Sequence, residues 1–158
     1  MRKHIVTILL ILAAFGVNAQ VKLLTLSELE QRVAKGKDTT YVVNFWATWC
    51  GPCVEELPYF ERLTSENAKK PFKVILMSLD FKSKLKTDVE PFVAKQKLKS
   101  EVYVVNELDQ QKFIDRVDKS WSGALPATLI LNNDKKVRAF YEKAFTYDEL
   151  VKTLENAK

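Results

Sequence analysis

Two cysteines separated by two residues lie where the chain changes from one residue pattern to another. Cys50-Gly51-Pro52-Cys53 follows the run 41–46, Tyr-Val-Val-Asn-Phe-Trp, whose β-branched and aromatic residues are typical of a buried strand. After the cysteines, apolar residues recur near helical spacing, at Val54, Leu57, Phe60 and Leu63. The sequence therefore predicts a strand followed by a helix, with the cysteine pair at their junction.

This position predicts a reactive sulfur. Pro52 suits a first helical turn, because its missing N–H would have no partner there anyway. The free N–H groups and the positive end of the helix dipole stabilise an anion at that end of a helix. In such a motif the pKa of a cysteine thiol can fall from about 8.5 toward 7 or lower. We therefore expect Cys50, the more exposed of the two, to be the attacking thiolate and Cys53 to be a buried resolving thiol.

Other uses of a cysteine pair must be weighed against this one. An inert local disulfide is compatible with the spacing, although that spacing is too short to staple distant parts of the chain. Zinc needs four ligands, and the chain has only two cysteines and one histidine, His4. Haem attachment needs a histidine directly after Cys53, where this chain has Val54. The residues therefore favour a redox pair, with no metal and no organic cofactor.

The first 19 residues have the three-part pattern of a secretory signal peptide. Residues 1–4 are basic, residues 5–17 are almost wholly apolar, and Val17-Asn18-Ala19 precedes an expected cleavage site. The apolar segment is shorter than the roughly 20 residues that a membrane-spanning helix needs. We expect residues 20–158 to form one exported domain. A bacterial periplasm is favoured over a eukaryotic lumen, because retention and Asn-x-Ser/Thr signals are absent.

The charge of the chain gives little support to a nucleic-acid partner. Loss of Arg2 and Lys3 with the signal peptide would lower the formal net charge from +5 to +3. The remaining lysines are scattered, and no basic stripe alternates with aromatic residues. A solvated surface explains them better, and we expect no nucleic-acid binding.

The rest of the sequence predicts alternating strands and helices. The expected strands are 41–46, 72–79, 101–105, 127–131 and 136–141, and the expected helices are 52–68, 88–97, 109–117 and one beginning at Thr146. Ser27 and Glu30 form a possible capping box for a further helix that Gly36 closes. Asn132-Asn133-Asp134 predicts a hairpin turn, so we expect a mixed sheet.

The segment 44–53 reads Asn-Phe-Trp-Ala-Thr-Trp-Cys-Gly-Pro-Cys. It resembles the active-site signature of thioredoxin-like proteins, and more closely that of their exported TlpA and ResA branch. Pro58 falls where this family kinks the helix, and the segment 125–128, Leu-Pro-Ala-Thr, looks like the family's cis-proline loop. The resemblance implies an α/β thioredoxin-like fold, a central mixed sheet flanked by helices. It also implies a helix–strand insertion before the cis-proline strand, with its strand near 102–105. The segment 21–37 lacks the branch's hairpin and predicts a helix instead.

The resemblance also implies roles for individual residues. Glu56 occupies the position of a glutamate that sets thiol acidity in ResA-like proteins, whereas Asn44 replaces the proton-accepting aspartate of thioredoxin. Alternatively, Glu56 only stabilises the helix amino terminus. The implied substrate contacts come from the loop before the pair, the residues within it and the cis-proline loop: Trp49, Gly51, Pro52, Leu125 and Pro126. Trp46 and Trp121 are equally compatible with core positions.

The function expected from these features is reduction of disulfides in exported proteins. The family implies re-reduction by a membrane thiol carrier of the DsbD or CcdA type. We expect a monomer, and its substrate is open between cytochrome c apoprotein in cytochrome c maturation, another exported protein and a general pool. Two alternatives are a thioredoxin-fold peroxidase, which would need a lone Thr-x-x-Cys site, and a non-catalytic binding or chaperone module. A copper-carrying module would want a distant histidine, which residues 20–158 lack.

Overall fold

Strand β2 lies in the middle of a six-stranded sheet and leads directly to the cysteine pair. The computed structural model describes residues 21–157, and the expected signal peptide lies outside this range. The strands are β1 Lys22–Leu24, β2 Thr40–Trp46, β3 Phe72–Ser78, β4 Glu101–Val105, β5 Ala127–Asn132 and β6 Val137–Tyr141. The α-helices are α1 Leu26–Lys35, α2 Gly51–Glu66, α3 Glu90–Gln96, α4 Gln110–Val117 and α5 Tyr147–Asn156.

The sheet is mixed, as the hairpin turn predicts. Its strand order is β1-β4-β3-β2-β5-β6. The first four strands in this order are parallel, whereas β5 pairs antiparallel with β2 and β6 with β5. Strand β4 has the predicted bounds and lies between β1 and β3, so the α3–β4 insertion widens the sheet on the side of β2 away from β5.

Helices cover both faces of the sheet, because successive side chains of a strand point to opposite faces. Val42 and Trp46 of β2 belong to a core cluster with apolar residues of α2, α3 and α5. Val43 and Phe45 belong to a second cluster with α1 and α4. This alternation buries β2 on both sides of the sheet. No helix among the described residues is both long and apolar enough to cross a bilayer.

The predicted capping box of the first helix was wrong by two residues. Thr25, not Ser27, is the N-cap: its hydroxyl accepts from the Glu28 N–H, and the Glu28 carboxylate accepts from the Thr25 N–H. Leu26 and Leu29 are buried against the sheet, so the helix must already have begun at Leu26. Ser27 therefore lies within the first turn. Gly36 follows the last residue of the helix, as predicted.

Two further elements differ from the sequence-based expectation. Strand β1 precedes α1 in a segment that predicts only a helix, and its three residues are held by parallel pairing with β4. The helix predicted for residues 88–97 is preceded by a 3₁₀ turn, Lys82–Lys84, and a π-helical turn, Leu85–Val89. The α-helix itself begins at Glu90, with Pro91 in its first turn, where no N–H donor is required.

Candidate active site

Cys50 and Cys53 lie at the amino terminus of α2, as the sequence predicts. Cys50 is the N-cap residue, with extended backbone, and Pro52 is in the first turn. The two sulfurs form a disulfide, and the Cys53 N–H donates to Cys50 Sγ over 3.3 Å. Cys50 is 7% exposed and Cys53 is fully buried. Cys50 is therefore the more exposed of the two cysteines, and its sulfur already accepts an N–H of the helix's first turn.

Glu56 lies on the same helix one turn after Cys53 and is buried. One carboxylate oxygen accepts from Asn44 Nδ2 over 2.8 Å, and the other accepts from the Phe145 N–H over 2.8 Å. Burial penalises the charged carboxylate and raises the pKa of Glu56 to about 7, although both hydrogen bonds oppose the rise. Glu56 therefore changes protonation near neutral pH, one helical turn after Cys53.

Asn44 supports this carboxylate from strand β2. Its Nδ2 also lies 3.3 Å from Thr128 Oγ1, while its Oδ1 has no hydrogen-bond partner among the described residues. Val42, Asn44 and Trp46 alternate along β2 and face the same layer as α2. The amide thus supplies a neutral donor that holds the Glu56 carboxylate in place.

The Leu125–Pro126 peptide bond is cis, as the resemblance implies. Strand β5 begins at the next residue, and Ala127 pairs with Phe45 of β2. The cis-proline loop therefore lies beside the end of the strand that leads to Cys50. The loop is anchored by the Trp121 indole, which donates to the Ala124 carbonyl over 2.8 Å.

The three tryptophans have different environments. Trp46 and Trp121 are core residues, whereas Trp49, directly before Cys50, is 70% exposed. Gly51 and Pro52 are exposed beside it. The structure thus places an exposed apolar side chain and two exposed residues on either side of Cys50 in the chain.

Asp80 is a site residue that the sequence analysis missed. It is buried after the end of β3 and accepts from the Thr48 N–H over 2.9 Å, from the Thr48 hydroxyl over 2.7 Å and from the Ser78 hydroxyl over 2.7 Å. We call the Thr48–Asp80 pair the loop clasp. Because it holds the loop between β2 and Cys50, it positions the start of α2. The sequence feature that could have identified Asp80 is a carboxylate directly after a predicted buried strand, because strands that are parallel to β2 end at the same side of the sheet.

Comparison with known proteins agrees with this geometry. The family model described as Redoxin matches residues 17–157. The chain belongs to the Redoxin family. This Redoxin is 26% identical to the thiol-disulfide oxidoreductase ResA of Geobacillus thermodenitrificans, over 97% of this chain and 93% of the relative.

Solved structures share the fold of this Redoxin. The thioredoxin-related protein of Neisseria meningitidis serogroup B superposes with a TM-score of 0.66, at 20% identity over 78% of this chain and 88% of the other. A secreted disulfide oxidoreductase of Mycobacterium tuberculosis gives a TM-score of 0.58, at 19% identity over 78% of this chain and 85% of the other. The expected thioredoxin-like fold and ResA-type relationship are confirmed, and the Cys-x-x-Cys pair with these relatives supports thiol–disulfide oxidoreductase activity.

Proposed function

We propose that this Redoxin reduces disulfides of exported proteins through the Cys50/Cys53 pair. The observation that carries the proposal is the difference between the two sulfurs at the start of α2. Cys50 is the more exposed of the two and its Sγ accepts the Cys53 N–H, whereas Cys53 is fully buried. An N–H donor that faces a sulfur stabilises its thiolate. This asymmetry suits one attacking and one resolving cysteine.

The reaction proceeds in two exchange steps. The Cys50 thiolate attacks one sulfur of the partner disulfide, a mixed S–S bond forms, and the other partner sulfur leaves and takes a proton. Cys53 then loses its proton and attacks Cys50 Sγ, so that the mixed bond breaks and the partner's second thiol is released. Two electrons pass to the partner, and the chain ends with the Cys50–Cys53 disulfide that the structure contains.

Glu56 is the proposed acceptor of the Cys53 proton. Its buried carboxyl lies one helical turn from Cys53, and its pKa of about 7 lets it hold or release a proton near neutral pH. Asn44 and the Phe145 N–H orient the carboxylate without themselves titrating.

The proposed substrate surface surrounds Cys50. Trp49 offers apolar contact, and Gly51 and Pro52 leave the backbone open. Leu125 and Pro126 lie in the loop before β5, whose backbone can pair with an extended partner segment.

The compartment and the electron donor belong to the same proposal. The signal-peptide pattern of residues 1–19 and the secreted relative support export, with the periplasm as the destination. In an oxidising compartment the dithiol needs a source of electrons, for which a membrane thiol carrier of the DsbD or CcdA type is suited. We expect a monomer whose partners are exported disulfide proteins, with cytochrome c apoprotein among the candidates.

The reduction potential tests the direction of transfer. Equilibration with dithiothreitol redox buffers should give a value near the −270 mV or so of thioredoxin, and the reduced chain should reduce insulin. The Cys50→Ser variant is the inactive control. A potential of about −120 mV would instead make the protein an oxidant.

A Cys53→Ser variant, which stops at the mixed disulfide, should capture the physiological partners for identification.

A further inference from the structure

Large apolar side chains of the described residues are mostly buried, and four are strongly exposed: Leu23, Trp49, Phe81 and Leu108. Two of these four are attached to the loop clasp. Trp49 directly follows Thr48, and Phe81, which is 79% exposed, directly follows Asp80. The two exposed aromatic residues therefore leave adjacent loops at points that are hydrogen-bonded to one another.

Backbone hydrogen bonds hold the chain segments that carry these two aromatic residues. Strands β2 and β3 are parallel neighbours whose last residues, Trp46 and Ser78, are in register. The Leu79 N–H continues the pairing by donating to the Trp46 carbonyl over 2.8 Å. The Phe81 carbonyl accepts from the Lys84 N–H over 2.7 Å, which starts the 3₁₀ turn. Phe81 is thus presented at a defined position beside the active-site loop.

Folding does not explain this exposure. A phenylalanine that leaves most of its side chain in water contributes little of the stabilisation available from burial. Trp49 directly precedes Cys50 in the loop that a partner disulfide must approach, and Phe81 adds a second exposed aromatic residue at the other end of the clasp. Aromatic residues of this kind supply much of the binding free energy at protein interfaces.

The charge next to Phe81 indicates what kind of segment fits. Lys84 and Lys86 form ion pairs with Asp88 and Glu90, at 3.4 and 2.7 Å. Lys82 is exposed and has no acidic partner among residues 21–157. The nearest carboxylate in sequence, Asp80, is buried and already accepts three hydrogen bonds. The surface therefore combines an exposed aromatic ring with a lysine that forms no ion pair among residues 21–157.

We propose that Phe81 and Lys82 form a specificity subsite that favours partner disulfides flanked by an apolar side chain and an acidic residue. The proposal rests on the proposed function, because it concerns the same exchange at Cys50. Phe81 would contact the apolar side chain and Lys82 the carboxylate, while Trp49 covers the reacting sulfurs.

The test compares a peptide disulfide with a small one. One peptide carries Leu and Glu beside its cysteine, a matched peptide carries Gly and Lys there, and hydroxyethyl disulfide reports exchange without a flanking segment. Phe81→Ser should lower kcat/KM for the Leu/Glu peptide at least about fivefold, mainly through KM. Its rate with hydroxyethyl disulfide should equal the wild-type rate. Leu108→Ser, which removes an even more exposed apolar side chain outside the clasp, should change neither rate.

The charge is tested separately. Lys82→Glu should reduce the preference for the Leu/Glu peptide over the Gly/Lys peptide, and added salt should weaken the wild-type preference. An unchanged peptide rate in Phe81→Ser would overturn the subsite. An equal loss with hydroxyethyl disulfide would overturn it too, because Phe81 would then support the reacting groups. A difference in sedimentation coefficient between wild type and Phe81→Ser would also overturn the subsite. Phe81 would then lie in a contact between two copies of this chain. A wild-type chain inactive on every disulfide would overturn the proposed function itself.

Discussion

The carboxyl of Glu56 is buried with both oxygens hydrogen-bonded, yet its pKa is raised to about 7. Two neutral donors are therefore too weak to offset the cost of burying the charge. Between pH 4.5 and 7 the folded chain holds a proton on Glu56 that the unfolded chain has released. The free energy of unfolding should fall as pH rises through this range, because stability decreases with pH where the native state binds more protons.

Replacement of Glu56 by Gln should remove this dependence. The interval from 4.5 to about 7 corresponds to a contribution of up to about 3 kcal/mol. The difference in unfolding free energy between wild type and Glu56→Gln should change by about that amount between pH 4.5 and 7 and stay constant above it. Urea unfolding across this range measures the difference. Glu55→Gln, at an exposed neighbouring position, is the control, and parallel curves for all three proteins would contradict the assigned pKa.

The same variant tests the proton-transfer role. Wild-type exchange should show an inflection near pH 7 that Glu56→Gln lacks, because the amide cannot accept the Cys53 proton. Stopped-flow rates of insulin reduction across pH measure it. Identical profiles would remove Glu56 from the mechanism and leave it a structural acid.

Asp80 should matter for stability as much as for positioning. Asp80→Ala leaves the Thr48 N–H and two hydroxyls without their acceptor in a buried place, so we expect a loss of about 2–4 kcal/mol. Asp115→Ala, on the exposed surface of α4, should stay within about 0.5 kcal/mol. Thermal or urea unfolding gives both values. A small effect of Asp80→Ala would mean that the loop clasp does not hold the active-site loop.

Among the elements, α1 is one whose first residue cannot be predicted from local sequence alone. Two capping boxes overlap in the sequence, Thr25 with Glu28 and Ser27 with Glu30, and either is sound by local chemistry. Burial of Leu26 against the second core cluster selects the first. Strand β1 also could not be predicted from local sequence. Its three residues are too few to show an alternating pattern, and only the pairing with β4 defines the strand.

The choice of cap can be measured directly. Thr25→Ala should destabilise the protein by about 1 kcal/mol, the usual cost of losing an N-cap hydroxyl. Ser27→Ala removes only a 3.3 Å contact with Arg116 at the surface and should stay within about 0.5 kcal/mol. Equal losses, or a larger loss for Ser27→Ala, would contradict the position of the helix start.

At the scale of the whole molecule, the mixed sheet, the hairpin and the position of the cysteines follow from sequence because each is a short-range signal. The strand pattern of 41–46 and the turn residues 132–134 determine their elements largely by themselves. The loop clasp joins residues 32 apart, and no local pattern marks Thr48 as the partner of Asp80. The Phe145 N–H that holds Glu56 comes from even further along the chain. Such contacts exist only once the sheet has aligned its strand ends.

The central claim is that the start of α2 makes Cys50 an acidic thiol, more exposed than Cys53, and keeps Cys53 buried. Alkylation of the reduced chain with iodoacetamide across pH, with peptide mapping, tests this most directly. Cys50 should react first, with a midpoint clearly below the value of about 8.5 for free cysteine, and Cys53 should react slowly at every pH. A midpoint for Cys50 at the free-cysteine value, or equal reactivity of the two thiols, would contradict the account.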